Sequence, residues 1–325
     1  MKYSIIVPVH DRPDELDDLL SCLAEQTFRD FEVIVVEDGS TTRSHDVCKA
    51  YGQRLTISHY DKDRSGPGPS RNYGCRRASG DYFIFLDSDC TVPRHYLAAI
   101  DDVVTRRHPD AWGGPDRIHD SFTAMQKAIG YSTTALLTTG GYGTNVRIGG
   151  TFYPHAFNMG MSRTVFNVTE GFSRMPSGAD VDLHIRMRRH GFKVELITDA
   201  WVHHKRHGDL VTFFGQMHEA GMARIDTTVR HPGSLKLVHF FPATFTAYVV
   251  IVAFYTLFVP YGWIGLYPIG AYALIILLEG MLRFRSPWLG ILCVVASFVR
   301  MLGYGTGFIR GLLWRIMLGK PERTV

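Results

Sequence analysis

Two carboxylates one residue apart, Asp87 and Asp89, close a run of five apolar residues, Tyr82-Phe83-Ile84-Phe85-Leu86. Paired acids on a short turn suit a hard divalent cation, and such a cation suits phosphate groups. Taken alone, Asp87-Ser88-Asp89 is also an ordinary solvated turn, so its neighbours decide. Asp11 lies just past the apolar run Ser4 to Val9, and Asp38 just past Glu32-Val33-Ile34-Val35-Val36. Acids recurring behind successive apolar runs are hard to explain as random surface. Farther along stand Arg71, Asp180 and the pair His203-His204.

The elements that must position these groups follow from the pattern. Short, uninterrupted apolar runs bounded by turn residues read as strands buried on both faces, which belong to mostly parallel sheets covered by helices. After the first run, Pro13 takes a first helical turn with Asp14 and Glu15 near the positive end of the dipole. Leu16, Leu19, Leu20 and Leu23 then recur at helical spacing. A weaker strand spans Leu55 to His59, and Gly66-Pro67-Gly68-Pro69 leads into a short helix. The order β-α-β-α-β-α-β predicts a doubly wound α/β sheet, in which ligands bind at the carboxyl ends of the strands. The acids would then line one crevice.

Composition narrows the function. The chain has 325 residues and a net charge of +4, with basic residues scattered rather than clustered, which disfavours nucleic acid. The five cysteines are odd in number and show neither a disulfide framework nor C-x-x-C spacing. The opening apolar run is too short for a signal peptide, so catalysis is expected in the cytosol. Hydropathy then divides the chain. From Phe240 to Gly280 the single charged residue is Glu279, and Pro260-Tyr261-Gly262 splits that stretch into two spans, 239–259 and 263–282. A third apolar stretch, 288–309, carries Arg300 and four glycines and is expected to be re-entrant or interfacial. Arg283 and Arg285 follow the second span, and Arg310, Arg315, Lys320 and Arg323 end the chain, placing both basic groups on the cytosolic side. The predicted organisation is a cytosolic domain over 1–205, an amphipathic interface helix region over 206–236, and a membrane region over 237–318.

Val7-Pro8-Val9, Val36-Glu37-Asp38-Gly39-Ser40, Arg71-Asn72-Tyr73-Gly74 and Phe85-Leu86-Asp87-Ser88-Asp89 occur in the order and spacing of family 2 glycosyltransferases of the GT-A fold. Asn158 to Arg163, Gly171-Phe172, Asp180-Val181-Asp182-Leu183 with Arg186, and Trp201-Val202-His203-His204 continue the resemblance, which covers roughly residues 2–225. It implies an inverting, metal-dependent transfer of a sugar from a nucleoside-diphosphate donor, UDP foremost, to a hydroxyl acceptor. It places Pro8 and His10 beside the base, Asp38 on the base, Arg71 on the diphosphate, and Asp87 with Ser88 near the ribose and sugar. It assigns Mg²⁺ or Mn²⁺ to Asp89, with Asp87 and His204 as further ligands and His203 as the alternative histidine. Asp180 matches the general base. Asp182 is either a second acid or a helix-terminal one. Two departures stand out: Glu37-Asp38 where the family more often has Asp-Asp, and Ala179 where a Glu precedes the base. Gly149-Gly150-Thr151, in a Gly- and Thr-rich region over about 138–151, belongs either to an acceptor loop or to a flexible surface loop. The membrane region suggests a lipid-linked acceptor, at a multi-pass site in the cell (inner) membrane, in polysaccharide or glycolipid assembly. Two other readings remain at this point: a nucleotidyltransferase, which would carry a Gly-rich phosphate loop where Pro8-Val9-His10-Asp11 stands, and a catalytically inactive membrane-bound module that binds nucleotide sugars.

Overall fold

A computed structural model describes residues 2–140, 152–206 and 208–320. Gly149, Gly150 and Thr151 of the expected acceptor loop lie outside the described residues, as does Arg323. In chain order the elements are β1 (Tyr3–Val9), α1 (Pro13–Ala24), β2 (Phe31–Asp38), α2 (His45–Tyr51), β3 (Ile57–Lys62), α3 (Pro67–Cys75), β4 (Tyr82–Leu86), β5 (Cys90–Thr91), α4 (Tyr96–Arg107) and β6 (Ala111–Gly113). There follow α5 (Ala124–Thr134), α6 (Leu136–Thr139), β7 (Asn158–Ser162), α7 (Arg163–Thr169), α8 (Ala179–Arg189), β8 (Val194–Leu196) and β9 (His203–His204). The chain ends in α9 (Leu210–Arg230), α10 (Phe241–Phe258), α11 (Leu266–Phe284) and α12 (Pro287–Gly311). They form two compact units, the first from residues 2–117 and 152–205, the second from 118–140 and the described part of 206–320.

In the first unit seven strands pair in the order β3-β2-β1-β4-β7-β6-β8. β3, β2, β1 and β4 run parallel, β7 runs antiparallel to both its neighbours, and β8 is parallel to β6. The four parallel strands are those expected from the apolar runs. Their two faces bury separate cores. One holds Leu16, Leu19, Leu20 and Leu23 of α1 with Leu97 and Ile100 of α4. The other holds Cys75, Phe166, Leu183 and Met187 from α3, α7 and α8. Register sets the edge that matters: Pro8 lies opposite Val36, and Ile6 opposite Phe85, so the chain leaves β1, β2 and β4 at neighbouring points. Beyond this edge, β5 and β9 form a two-stranded antiparallel ribbon with Cys90 opposite His204.

The second unit contains the three helices that are long and apolar enough to cross a membrane, over Leu237–Phe258, Gly262–Phe284 and Pro287–Met317. The stretch 288–309, expected to be re-entrant or interfacial, is continuous helix. It lies within α12, which continues into a π-helical turn over Leu312–Met317. The glycines read as breaks are contact points instead. A Cβ on Gly307 would stand 1.9 Å from the carbonyl oxygen of His218 in α9, and one on Gly305 2.3 Å from that of Pro242 in α10. Small residues let helix backbones approach this closely where no water is present to drive packing.

Residues 118–140, expected with the first 205, group with these helices. The reason is visible in the polar groups of the apolar segments. Tyr131 of α5 donates to Glu279 at 2.7 Å, Tyr272 donates to the Leu137 carbonyl at 3.3 Å, and Arg300 donates to the Thr138 carbonyl. An ionisable side chain in such a segment needs a polar partner, and α5 and α6 supply them.

Candidate active site at the carboxyl edge of the sheet

The edge begins with Pro8 and His10, both half-buried at the end of β1. His10 Nδ1 is buried without a hydrogen-bond partner. The acids beside them are engaged with loops. Asp38, the last residue of β2, accepts from Lys62 Nζ at 2.7 Å and from the amides of Ser65 and Gly66, both at 2.8 Å. Burial alone would raise its carboxyl, but Lys62 and the Ser65 amide outweigh it and hold Asp38 below the usual range. Asp38 therefore shapes the Ser65-Gly66 turn that opens α3. Glu37 does the same for the preceding loop, accepting from Ser40 and from the Ser44 amide at 2.8 Å. Asp11, with φ 54, accepts from the Thr41 and Thr42 amides at 2.7 and 2.8 Å. Of the four strand-end acids expected to face a ligand, Asp11 is a loop clamp.

Arg71 is buried on α3 and pairs with Asp87 just past β4. Its guanidinium also lies over the Phe172 ring, 5.3 Å from the centroid, and its Nε is buried without a partner. Ser88 is buried beside it in the turn. Phe172 is held by the next residue of α3. Asn72 donates Nδ2–H to the Phe172 carbonyl at 2.7 Å and accepts the Phe172 amide at 2.8 Å. Those two bonds explain why Arg71-Asn72 and Gly171-Phe172 belong to one pattern. Asn72→Ala leaves two buried backbone groups unpaired and is expected to cost about 2–5 kcal/mol. A thermal melt of the detergent-purified protein checks this; an unchanged melting temperature contradicts it.

Asp89 faces the β5–β9 ribbon. Arg12 Nη1 donates to its Oδ2 at 2.9 Å, and His204 Nε2 stands 3.1 Å from Oδ1. The register that sets Cys90 opposite His204 delivers this contact. His203, one residue back, turns the other way, with Nδ1 2.9 Å from the Arg117 carbonyl. Burial opposes the charge on Asp89, yet His204 and Arg12 keep its carboxyl below the usual range. Ligand atoms of Asp89, Cys90 and His204 all lie within 4.8 Å of one another. The Cys90 thiol is pushed well up by burial and by the Asp89 and Asp87 carboxylates, so it is a poor ligand at neutral pH. One carboxylate and one imidazole remain, a donor set that fits Mg²⁺ or Mn²⁺ sharing its shell with phosphate oxygens. Asp87 is not in this group; it faces Arg71.

Asp180 stands in the first turn of α8, after Gly178 in the left-handed conformation. Its Oδ1 accepts the Val181 amide at 2.8 Å, and its Oδ2 lies 3.3 Å from His155 Nδ1. Burial raises and His155 lowers its carboxyl, with the net effect downward, so Asp180 is ionised at neutral pH. Ala179 packs half-buried against the core below. Asp182 is buried and bonded by Arg186 at 2.7 Å, while Arg186 also donates to the Gly171 carbonyl at 2.7 Å. That pairing ties the start of α8 to the Gly171 turn. Sequence reading missed Arg12, His155 and Phe157. The His155 ring stacks on Phe157 at 5.6 Å and Phe157 on His204 at 4.5 Å, so a continuous ring stack joins Asp180 to Asp89. Pro154-His155-Ala156-Phe157 carries no local signal for this; only the fold brings it between the two acids.

With this geometry in hand, the chain was compared with known proteins. The family described as Glycosyl transferase family 2 matches residues 4–169, 166 of 325 residues. The poly(ribitol-phosphate) beta-N-acetylglucosaminyltransferase TarS of Staphylococcus aureus is 32% identical over 114 residues, 34% of this chain and 20% of TarS. Glycosyltransferase GlyA of Streptococcus pneumoniae is 32% identical over 100 residues, 30% of this chain and 14% of GlyA. The matches thus span a fifth or less of these relatives' own lengths. In fold, S. aureus TarS 1-349 in complex with UDP-GlcNAc aligns over 99% of this chain and 93% of its own, with 17% identity and a TM-score of 0.52. Mannosyltransferase PcManGT from Pyrobaculum calidifontis in complex with GDP-Man and Mn²⁺ aligns over 93% and 87%, with 16% identity and a TM-score of 0.55. At these identities the likeness is one of architecture, and the architecture is the expected GT-A fold with apolar helices after it.

Proposed function

Because the chain belongs to glycosyl transferase family 2, we propose that it transfers a sugar from a nucleoside-diphosphate donor, UDP-linked foremost, to a hydroxyl acceptor in one inverting displacement. The observation that carries this reading is the ring stack that sets an ionised Asp180 beside the Asp89–His204 pair at one sheet edge. Asp180 takes the proton as the acceptor oxygen bonds to the anomeric carbon. The bond from that carbon to the phosphate oxygen breaks, and its electron pair leaves with the diphosphate. Arg71 has a buried, unpartnered Nε and can bond a phosphate oxygen while keeping Asp87. Pro8, His10, Asp38 and Ser88 would line the nucleoside and sugar. Asp89 and His204 would hold a divalent ion, which supplies charge stabilisation to the departing diphosphate. UDP-GlcNAc in the TarS structure, and GDP-Man with Mn²⁺ in the PcManGT structure, support a nucleotide-sugar donor used with a metal ion.

The second unit gives the reaction its place. Exposed apolar side chains such as Val250, Phe254, Leu257, Leu274 and Leu278 cover α10 and α11. A water-facing surface of this kind is rare in soluble proteins, and lipid would cover it. The enzyme is accordingly a multi-pass protein of the cell (inner) membrane, with the first unit in the cytosol. Its acceptor is a lipid-linked sugar on the route to a surface polysaccharide or glycolipid. The test is the anomeric configuration of the product formed from an α-linked donor, read by NMR coupling. A β-linked product is expected, and retention would overturn direct displacement by the acceptor oxygen with Asp180 as base. Loss of transfer to purified polyprenyl-diphosphate-linked sugars, with transfer to soluble sugars retained, would sink the lipid-linked acceptor.

A further inference from the structure

We propose that His155 is the positioning residue of the Asp180 base: its Nδ1–H donates to Asp180 Oδ2, keeping that carboxylate aimed and ionised for the acceptor hydroxyl. The inference rests on the reading of Asp180 given above. Three observations carry it. First, Nδ1 lies 3.3 Å from Oδ2 while Oδ1 is fixed by the Val181 amide, so both oxygens of the carboxylate have assigned donors. A carboxylate only accepts, so the Nδ1 facing it carries a proton. Second, His155 is not a loose surface ring. Its carbonyl accepts the Asn158 amide at 2.9 Å, and its ring stacks on Phe157 with planes 8° apart. Asn158 is in turn pinned by Tyr96 Oη–H at 2.7 Å and by its own bond to the Ala200 carbonyl at 2.9 Å. Third, the residue before the base is Ala179, which offers no polar group of its own. Among the described residues, the side chain paired with the Asp180 carboxylate, at 3.3 Å, is that of His155.

The surroundings bear on any pH dependence. Arg71 of α3 acts on Asp180 from the diphosphate side and favours its charge. His184, one turn along α8, is buried against the Tyr153 ring and is pushed down to about 4 by burial and Arg188, so it stays neutral. His204 lies on the far face of Phe157. His155 is thus the member of the group whose bond to Asp180 a single substitution can remove while leaving the others in place.

His155→Phe keeps a ring on Phe157 and deletes Nδ1. In the full-length, detergent-purified protein it is expected to lower kcat at least about tenfold, leave donor KM within about twofold, and shift the acid limb of kcat to higher pH as Asp180 loses its donor. His155→Gln, which restores an N–H near Oδ2, should recover part of the loss. A kcat for His155→Phe within about twofold of the parent, with the acid limb unmoved, overturns the proposal. If the parent transfers no sugar from any donor, the reading of the chain as a transferase fails instead. The pair is then judged by a double-mutant cycle on melting temperature with Asp180→Asn: coupled shifts support the bond, and additive shifts overturn it.

Discussion

Asp180→Asn is expected to reduce turnover by about 10³-fold while donor affinity stays unchanged, a loss near 4 kcal/mol in transition-state stabilisation. The amide has the shape of the carboxylate and keeps an oxygen to accept the Val181 amide, so α8 should begin as before. It cannot take a proton, and the acceptor hydroxyl must then attack without losing one. The pH profile adds a second check. The carboxyl of Asp180 is held below its ordinary value of 3.8 by His155 against the push of burial. A depressed group is ionised above that value and protonates only as pH falls through its lowered one. Activity should therefore show no loss from Asp180 across the neutral range. Single-turnover rates beside calorimetric donor binding separate the two quantities. A variant with kcat within about tenfold of the parent would remove Asp180 from the chemistry.

Asp89→Ala is expected to abolish metal-dependent turnover, by about 10²-fold or more, and to weaken donor binding as well. Asp89 meets two groups in the structure, the Arg12 guanidinium and the His204 imidazole, and a divalent ion held by Asp89 and His204 would compete with Arg12. Removing the carboxylate costs Arg12 and His204 the partner they share, while Arg12 keeps Glu15 at 3.1 Å. Asp89→Asn separates stability from chemistry, because it keeps an oxygen and the volume but lowers the charge. Activity of the Asn variant at increasing Mn²⁺ is the discriminating titration. Recovery at high metal fits a ligand role, and activity independent of metal in both parent and variant would contradict it.

The sheet was legible because its strands hold unbroken apolar runs, Ile5–Val9, Val33–Val36 and Tyr82–Leu86, which suit burial on both faces. The acids at their ends were legible for the same reason, since position along a strand fixes which edge a residue reaches. What each acid touches was not. Asp11 and Glu37 clamp loops through backbone amides, and no spacing distinguishes such an acid from one facing a ligand. That His204 rather than His203 faces Asp89 follows from the ribbon register, and that register depends on pairing with Cys90, far away in sequence. His155 was invisible because its meaning comes from standing 3.3 Å from Asp180, a residue on another element that no local pattern connects to it. In the second unit, glycines of α12 read as breaks when they are contact points, because local propensity carries no information about the helix that will lie alongside. The placement of 118–140 failed similarly. Glu279 and Arg300 were noted as charges within apolar stretches, but nothing local says that Tyr131 and the Thr138 carbonyl will meet them.

The most direct measurement is release of nucleoside diphosphate by the detergent-purified protein from a panel of UDP-, GDP- and dTDP-sugars, with Mn²⁺ and then with chelator. Release from one donor class, lost on chelation and lost in Asp89→Ala, is the expected result and identifies the donor. No release from any donor with lipid-linked acceptors supplied, although the nucleotide sugar still binds, would contradict catalysis at this site and leave a binding module in its place.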